Sequence, residues 1–163
     1  MEITKKIVLL GQFGVGKTSI ARRYLLDIFD KDYVPTLGVQ ILKKVIELPS
    51  GRKLSMIIWD LEGFSSVSST RASYLLGSHA FVYVFDVTRP YTYQGLKKDI
   101  SFMKDAYPKV QLEIIGNKID LGEKESIALL MREKKIDVTG YVSAKTGDGI
   151  KELFTRLSQK LES

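Results

Sequence analysis

One stretch of the chain, from Gly11 to Thr18, has the residue types and spacing of a phosphate-binding loop. It reads Gly-Gln-Phe-Gly-Val-Gly-Lys-Thr, which fits the pattern G-x-x-x-x-G-K-S/T, between the apolar run Ile7–Leu10 and a helical pattern over Ile20–Phe29. The glycines allow backbone N–H groups to turn inward around an anion, and the N-terminus of the following helix favours phosphate. We therefore expect Lys17 to reach the β- and γ-phosphates of a nucleotide and Thr18 to bind Mg²⁺.

Asp60 and Gly63 form a second candidate group, directly after the apolar stretch Met56–Trp59. An acid at the end of a strand beside a phosphate loop can hold Mg²⁺ through water, because that ion keeps several of its own waters. Gly63 would allow the backbone to approach a γ-phosphate closely. The pattern Asp-x-x-Gly is common by itself. It indicates a metal and phosphate site here because a phosphate loop and a strand precede it.

The segments Asn117–Asp120 and Ser143–Lys145 are candidates for binding a purine base, since each follows a predicted strand. Guanine presents two donors on one edge, N1–H and N2–H, and a single carboxylate can accept both. We therefore expect Asp120 to recognise that edge, while Asn117 ties its segment to the phosphate loop and the stem of Lys118 covers the ring. A backbone N–H within Ser143–Lys145 would donate to guanine O6.

The elements that must position these residues alternate between strand and helix. Pro49-Ser50-Gly51 is a turn signal that joins two strand-like runs into an antiparallel hairpin, and the other strands are separated by helices. This order predicts an α/β fold with a mostly parallel six-stranded sheet, one antiparallel strand and helices on both faces, and ligands bind such sheets at the carboxyl ends of the strands. The predicted strands are Ile3–Leu10, Gly38–Leu48, Lys53–Asp60, Ala80–Val87, Gln111–Gly116 and Gly140–Val142, and the predicted helices are Lys17–Phe29, Ser65–Leu76, Tyr93–Tyr107, Glu123–Lys135 and Ile150–Leu161.

Composition narrows the class of protein. The 163 residues are 44% apolar, which suits one globular domain spanning residues 1–163. The net charge of +6 comes from basic residues scattered in pairs, so we expect solvated faces and no nucleic-acid partner. There is no cysteine, which excludes disulfides and thiolate metal sites and suits a cytoplasmic protein.

The chain shows no sign of a membrane anchor. No apolar run approaches the ~20 residues that span a bilayer. Glu2 excludes N-myristoylation, and a chain without cysteine is neither prenylated nor palmitoylated. We therefore expect no stable membrane anchor within this sequence, and whether a lipid-modified tail follows it is left open.

Taken together in chain order, these motifs resemble the small GTPases of the Ras superfamily, closest to the Rab and Ras branches. The resemblance covers nearly the whole chain, and Asp32–Val39 is similar to the first switch segment of Rab proteins. It implies a G-domain fold, that of the P-loop NTPases, with GTP or GDP and Mg²⁺ as ligands and a monomeric state. It also implies effector and regulatory proteins that bind through Asp32–Val39 (switch I) and Gly63–Leu76 (switch II).

The resemblance also implies roles for individual residues. Thr36 would bind Mg²⁺ and meet the γ-phosphate, Tyr33 would fold over the nucleotide, and Phe29 would pack near guanine. The metal ligands would be Thr18, Thr36 and Asp60, and the residues acting in hydrolysis would be Lys17, Thr36 and Gly63. Glu62 is a further candidate for hydrolysis, although the resemblance itself does not imply that role. The complete set of expected nucleotide contacts is Phe13, Gly14, Val15, Gly16, Lys17, Thr18, Ser19, Phe29, Tyr33, Thr36, Gly63, Asn117, Lys118, Asp120, Ser143, Ala144 and Lys145.

Three residues depart from the family pattern around the γ-phosphate. Phe64 stands where the family generally has the glutamine that orients the attacking water. Phe13 replaces a small residue in the phosphate loop and could crowd the path of an activating arginine, and Glu62 also replaces a small residue. One interpretation is a switch that hydrolyses GTP very slowly. The other is that Glu62 or a partner's residue positions the water.

The sequence therefore predicts a guanine-nucleotide switch that hydrolyses GTP to GDP slowly. One alternative is a pseudo-GTPase scaffold that binds nucleotide without effective hydrolysis. Another is a P-loop ATPase or nucleotide kinase, which Asn117–Asp120 and the lack of a lid-like arginine cluster oppose. His79, the only histidine, precedes a buried strand far from the phosphates, and we expect a structural role for it.

Overall fold

Six strands form one sheet in the computed structural model, which describes residues 2–29, 36, 38–64 and 66–162. Their order across the sheet is β2-β3-β1-β4-β5-β6, and every neighbouring pair is parallel except β2 and β3. The predicted sheet is thus confirmed. The strands are β1 Glu2–Leu10, β2 Val39–Glu47, β3 Lys53–Leu61, β4 Ala80–Asp86, β5 Gln111–Asn117 and β6 Gly140–Tyr141.

The antiparallel pair is the predicted hairpin. Its turn is closed by backbone hydrogen bonds from Leu48 N to Arg52 O and from Gly51 N to Leu48 O, both 2.8 Å long. Gly51 has φ +86°, a left-handed conformation that costs glycine little. The pairing brings Ile41 opposite Trp59 on one face of the sheet.

Helices cover both faces of this sheet. One face packs against α1 and α6, where the rings of Tyr24 and Phe154 stack with centroids 3.9 Å apart. The remaining helices cover the other face, so all seven residues of the central strand β4 are buried, as its continuous apolar run predicts. The helices are α1 Lys17–Leu26, α2 Ala72–Leu75, α3 Tyr91–Gln94, α4 Leu96–Ala106, α5 Lys124–Glu133 and α6 Ile150–Glu162.

Three helix predictions differ from the structure, and two of them concern where a helix breaks or ends. The single helix predicted over Tyr93–Tyr107 is two helices, α3 and α4, interrupted at Gly95 with φ −89° and ψ 5°. Glycine weakens a helix because it gains the most conformational freedom on leaving it, so the break falls there. Helix α1 ends at Leu26 instead of Phe29, because Asp27 adopts a left-handed conformation with φ 53°.

The predicted helix over Ser65–Leu76 is a 3₁₀ turn at Val67–Ser69 followed by the single-turn α2; Ser65 itself lies outside the described residues.

His79 accepts a hydrogen bond at Nδ1 from the backbone N–H of Lys6, 2.9 Å long, which fastens the start of β4 to β1. Among the described residues, no helix has both the length and the apolar character needed to cross a membrane.

Candidate guanine-nucleotide site

A cavity of about 490 Å³ opens at the carboxyl ends of β1, β3 and β5. Most of the expected nucleotide contacts line it, although they come from six separate stretches of the chain. Those residues are Phe13, Gly14, Gly16, Lys17, Thr18, Ser19, Phe29, Thr36, Gly63, Asn117, Lys118, Asp120, Ala144 and Lys145. Arg22, Leu61, Arg89 and Leu121 line it as well.

The phosphate loop runs from the end of β1 to the start of α1 and is shaped by close backbone approaches. Gly16 caps α1 with φ 102°, and a Cβ there would lie 2.2 Å from Nδ2 of Asn117. Gly63 approaches the same loop so closely that a Cβ would lie 2.5 Å from Cα of Phe13. Glycine is therefore required at both positions by space, and at Gly16 also by conformation.

Lys17 lies beneath this loop and is almost fully buried, at 6% exposure. Its Nζ donates to the carbonyl oxygens of Gly11 and Gln12, both at 3.0 Å. Burial lowers the pKa of Lys17 to about 8; the charge of Asp60 opposes this shift and that of Arg89 adds to it. A phosphate would favour the charged ammonium, so the site is electrostatically suited to an anion.

Oxygen atoms of Thr18, Thr36 and Asp60 meet beside Lys17. Thr18 Oγ1 donates to Asp60 Oδ2 at 2.5 Å and lies 2.7 Å from Thr36 Oγ1, while Thr36 Oγ1 lies 3.4 Å from the same carboxylate oxygen. Asp60 is fully buried, and its Oδ1 has no hydrogen-bond partner among the described residues. Burial raises the pKa of Asp60, against hydrogen bonds from both threonines and the charge of Lys17.

This donor set fits Mg²⁺, which prefers hydroxyl and carboxylate oxygens together with water and substrate phosphates. The unpartnered oxygen of Asp60 is a buried acceptor that a hydrated ion would satisfy. No cluster of three or more acidic, histidine or cysteine side chains suited to a metal occurs in the part of the chain that the structure describes. Such a site therefore depends on phosphates and water for its remaining ligands.

Asn117 joins three loops on the base side of the cavity. Its Nδ2 donates to Val15 O at 2.9 Å, and its Oδ1 accepts from the backbone N–H of Ala144 at 3.2 Å. Asp120 accepts a hydrogen bond from Ser143 Oγ at 2.7 Å, which fixes the orientation of the carboxylate. The predicted base-binding segments are thus held together, and held to the phosphate loop.

Those of the remaining expected residues that the structure describes lie outside the cavity lining. Val15 and Ser143 are buried and contribute through their bonds to Asn117 and Asp120. Asp60 lies behind Thr18, and Glu62 is exposed, with its backbone N–H donating to Gly38 O. Tyr33 lies outside the described residues, as do all positions of switch I except Thr36, Gly38 and Val39.

Phe64 turns away from the cavity. Its ring packs edge-on against Tyr83 with centroids 5.9 Å apart, and its backbone N–H donates to Gly11 O at 3.4 Å. Tyr83 Oη donates in turn to Asp99 Oδ2 at 2.8 Å, and Asp99 Oδ1 accepts from the backbone N–H of Val67 at 3.1 Å. The second switch segment is therefore attached to the protein core by a buried tyrosine and a buried aspartate.

Comparison with known proteins agrees with this geometry. Residues 6–163 match the Ras family. The chain belongs to that family. It is 34% identical over 162 residues to the Ras-related protein Rab-31 of Mus musculus, covering 96% of this chain and 82% of that protein. It is 31% identical to the Ras-related protein Rab-1C of Dictyostelium discoideum, covering 96% of this chain and 80% of that protein.

Membership of the Ras family makes this chain a small GTPase that binds GTP and GDP, hydrolyses GTP and acts through effector proteins.

The structure adds residues that sequence reasoning missed. Arg23 of α1 donates to the carbonyl oxygens of Ala144 at 2.8 Å and Lys145 at 2.5 Å, which braces the second base-binding segment. Arg89, after β4, lines the cavity. Neither arginine belongs to a motif, so no sequence signal marks them.

Proposed function

We propose that this Ras-family GTPase is a Mg²⁺-dependent guanine-nucleotide switch with slow intrinsic hydrolysis, formed by residues 1–163 as one G domain. The observation that carries the proposal is the meeting of three groups around one cavity: the buried ammonium of Lys17, the oxygen cluster of Thr18, Thr36 and Asp60, and the carboxylate of Asp120. A cation, a metal ligand set and a base acceptor are what a purine nucleotide with its metal requires.

In this proposal the phosphates lie along the loop from Phe13 to Ser19, where backbone N–H groups and Lys17 offset their charge. Asp120 accepts from the N1–H and N2–H groups of guanine, and Ser143 holds that carboxylate in place. Phe29 and the stem of Lys118 pack near the base. Hydrolysis is the in-line attack of water on the γ-phosphate, whose developing charge is stabilised by fixed donors.

Thr18, Thr36 and Asp60 would hold Mg²⁺, Thr36 in the GTP state only. When bound, the ion offsets negative charge on the β- and γ-phosphates. Support comes from the convergence of the three side chains and from the unpartnered Oδ1 of Asp60. Gly63 lies against the phosphate loop, where its backbone N–H can detect a γ-phosphate.

Slow hydrolysis is supported by the second switch segment. The family's water-orienting glutamine is replaced by Phe64, which has no polar atom to hold a water and packs against Tyr83 instead. Glu62 is exposed and does not line the cavity, so water positioning by Glu62 requires its side chain to turn inward. Phe13 lines the cavity mouth at 49% exposure, where an activating arginine would have to pass.

We further propose that partner proteins bind through Asp32–Val39 and Gly63–Leu76. Beside the second segment, Trp59 and Tyr74 lie with ring centroids 6.2 Å apart, and Ile41 is 53% exposed on the strand opposite Trp59. An exposed aliphatic side chain beside two half-buried aromatic rings favours a protein partner over nucleic acid. The protein would act as a monomer in the cytoplasm, a compartment that supplies GTP, without a stable membrane anchor in this sequence.

The experiment that tests the proposal is to purify the full chain, extract its bound nucleotide and identify it. We expect GDP or GTP, followed by slow decay of loaded GTP over hours. Bound ATP, or binding of ATP within about tenfold of GTP, would refute guanine selectivity. Conversion of GTP within seconds, without a partner, would refute slow hydrolysis and leave guanine binding intact.

A further inference from the structure

A buried carboxylate at the end of β4 holds two cations on one oxygen atom. Asp86 is fully buried, and its Oδ2 lies 2.8 Å from both Arg89 Nε and Lys118 Nζ. Its Oδ1 accepts from the backbone N–H and the hydroxyl of Thr88. Burial by itself would raise the pKa of Asp86, but hydrogen bonds from Lys118 and Thr88 outweigh it and lower that pKa. One carboxylate balances one of the two cations, so the cluster keeps an excess positive charge.

The two cations of this cluster contact the phosphate loop. Arg89 Nη2 donates to Phe13 O at 3.0 Å, and Lys118 Nζ donates to Gly14 O at 3.2 Å. The guanidinium also covers Gly14, because a Cβ on that glycine would lie 3.2 Å from Arg89 Nη2 and 3.4 Å from Nη1. Arg89 thus lies directly on the loop whose backbone would surround the phosphates.

Arg89 faces the cavity and not only the loop. Its side chain is 30% exposed and forms part of the cavity lining, together with Gly14 and Lys118. Burial lowers the pKa of Lys17 to about 8, and the positive charge of Arg89 is a further cause of that shift. The two cations are therefore close enough to repel each other. Among the described residues, three of its five N–H groups are used, toward Asp86, Phe13 and Tyr91 Oη, which leaves one on each terminal nitrogen for a ligand.

We propose that Arg89 is a ligand of the nucleotide phosphates, supplied by the chain itself. The inference rests on the proposed nucleotide site and adds a residue that belongs to none of its motifs. A guanidinium suits this role because its planar set of donors can bond a phosphate oxygen and a neighbouring carbonyl at once. Asp86 orients Arg89 by holding Nε, and Arg89 then adds to the charge stabilisation that Lys17 provides when GTP is hydrolysed.

The test compares the full-length wild-type chain with Arg89→Ala and Arg89→Lys, using release of fluorescent GDP and equilibrium binding of guanosine. Loss of one charge-assisted contact should speed GDP release by about 10- to 100-fold in Arg89→Ala. Guanosine has no phosphate, so its affinity should stay unchanged. Asp86 keeps Lys118 in the variant, so no buried carboxylate loses all its cations and the protein should fold.

Arg89→Lys separates a phosphate ligand from a structural brace. A lysine keeps the charge but cannot bond Asp86, Phe13 and Tyr91 together, so GDP retention close to wild type supports the proposal. If the variants lose GDP affinity and guanosine affinity to the same degree, only the brace matters, and the proposal is overturned. Unchanged GDP release in Arg89→Ala also overturns it. Arg52→Ala, at the exposed hairpin turn, is the matched control for losing one positive charge.

The same measurements separate this inference from the function on which it depends. If the wild-type chain binds no GDP, both the nucleotide site and the role of Arg89 are refuted. If the wild type binds GDP and the Arg89 variants match it, the site stands and the role of Arg89 alone is refuted.

Discussion

Replacing Asn117 by alanine tests the central claim that one side chain holds the phosphate and base loops together. Asn117 is the only asparagine of the chain and is 2% exposed at the end of β5. Its amide bonds Val15 O at 2.9 Å and the Ala144 N–H at 3.2 Å. In Asn117→Ala both of these backbone groups lose their partner within the site.

The magnitude follows from the two bonds. A buried polar group left without a partner costs about 1–3 kcal/mol, so two such groups cost about 2–6 kcal/mol. Water can enter the space left by the side chain and recover part of this, which makes about 2–4 kcal/mol the expected loss. Because Val15 and Ala144 belong to the loops that enclose the nucleotide, that loss should weaken GDP binding by about 30- to 1,000-fold.

The assay is release of fluorescent GDP from the purified chain after addition of excess unlabelled GDP. Gln111→Ala is the matched control, because Gln111 is an exposed carboxamide at the opposite end of the same strand. We expect the control to release GDP at the wild-type rate. If Asn117→Ala releases GDP within about threefold of wild type, less than one ordinary hydrogen bond is worth, then the amide does not couple the loops.

Other perturbations have equally direct expectations. Asp120→Asn should shift competition binding from guanine toward xanthine nucleotides, whose C2 oxygen accepts a hydrogen bond from the new amide; unchanged guanine preference would contradict this. Removal of Mg²⁺ by EDTA should speed GDP release in the wild type much more than in Thr18→Ala, which lacks the hydroxyl ligand, and an equal response would count against a metal bound there. Phe64→Gln should raise the single-turnover GTPase rate above a wild-type rate on the order of 10⁻⁴ s⁻¹ or less, and adding Phe13→Gly should restore sensitivity to an activating arginine; no rise would show that water orientation is not limiting. Phosphate binding favours protonated Lys17, whose pKa is about 8 without it, so GDP affinity should be level below about pH 7 and fall by up to about tenfold per unit above pH 8. Calorimetry near pH 9 should then show proton uptake on GDP binding, and its absence would reject the role of Lys17.

Local chemistry explains what could be predicted from the sequence. The phosphate loop is predictable because Gly16, at φ 102°, marks a conformation and a close approach that few other residues tolerate. Strand β4 is predictable because a strand covered on both faces is a near-continuous apolar run, here Ala80–Phe85. Asp120 and Lys17 could be placed for the same kind of reason. Asp120 comes shortly after strand β5, and Lys17 is the first residue of helix α1.

Most features that could not be predicted depend on contacts between distant segments. The break at Gly95 is a local exception, and it is hidden because helical periodicity continues on both sides of it. The cluster of Asp86, Arg89 and Lys118 forms only when the loops after β4 and β5 meet over the phosphate loop. Phe64 packs against the ring of Tyr83 instead of facing the cavity. Nothing in the sequence distinguishes Tyr83 from any other tyrosine in an apolar strand.

The hydrogen bond from Val67 to Asp99 limits how far the second switch segment can travel. Three residue steps separate Phe64 from Val67, and an extended chain covers at most about 11 Å in that distance. While the bond holds, we expect any rearrangement between nucleotide states to be a swing about Val67, because Val67 is fixed to α4. Tyr74 lies beyond the pivot with its ring near Trp59, so we expect it to keep its position while Gly63 moves. A partner that contacts both sides would sense the nucleotide through Gly63 and use Tyr74 as a constant point of attachment.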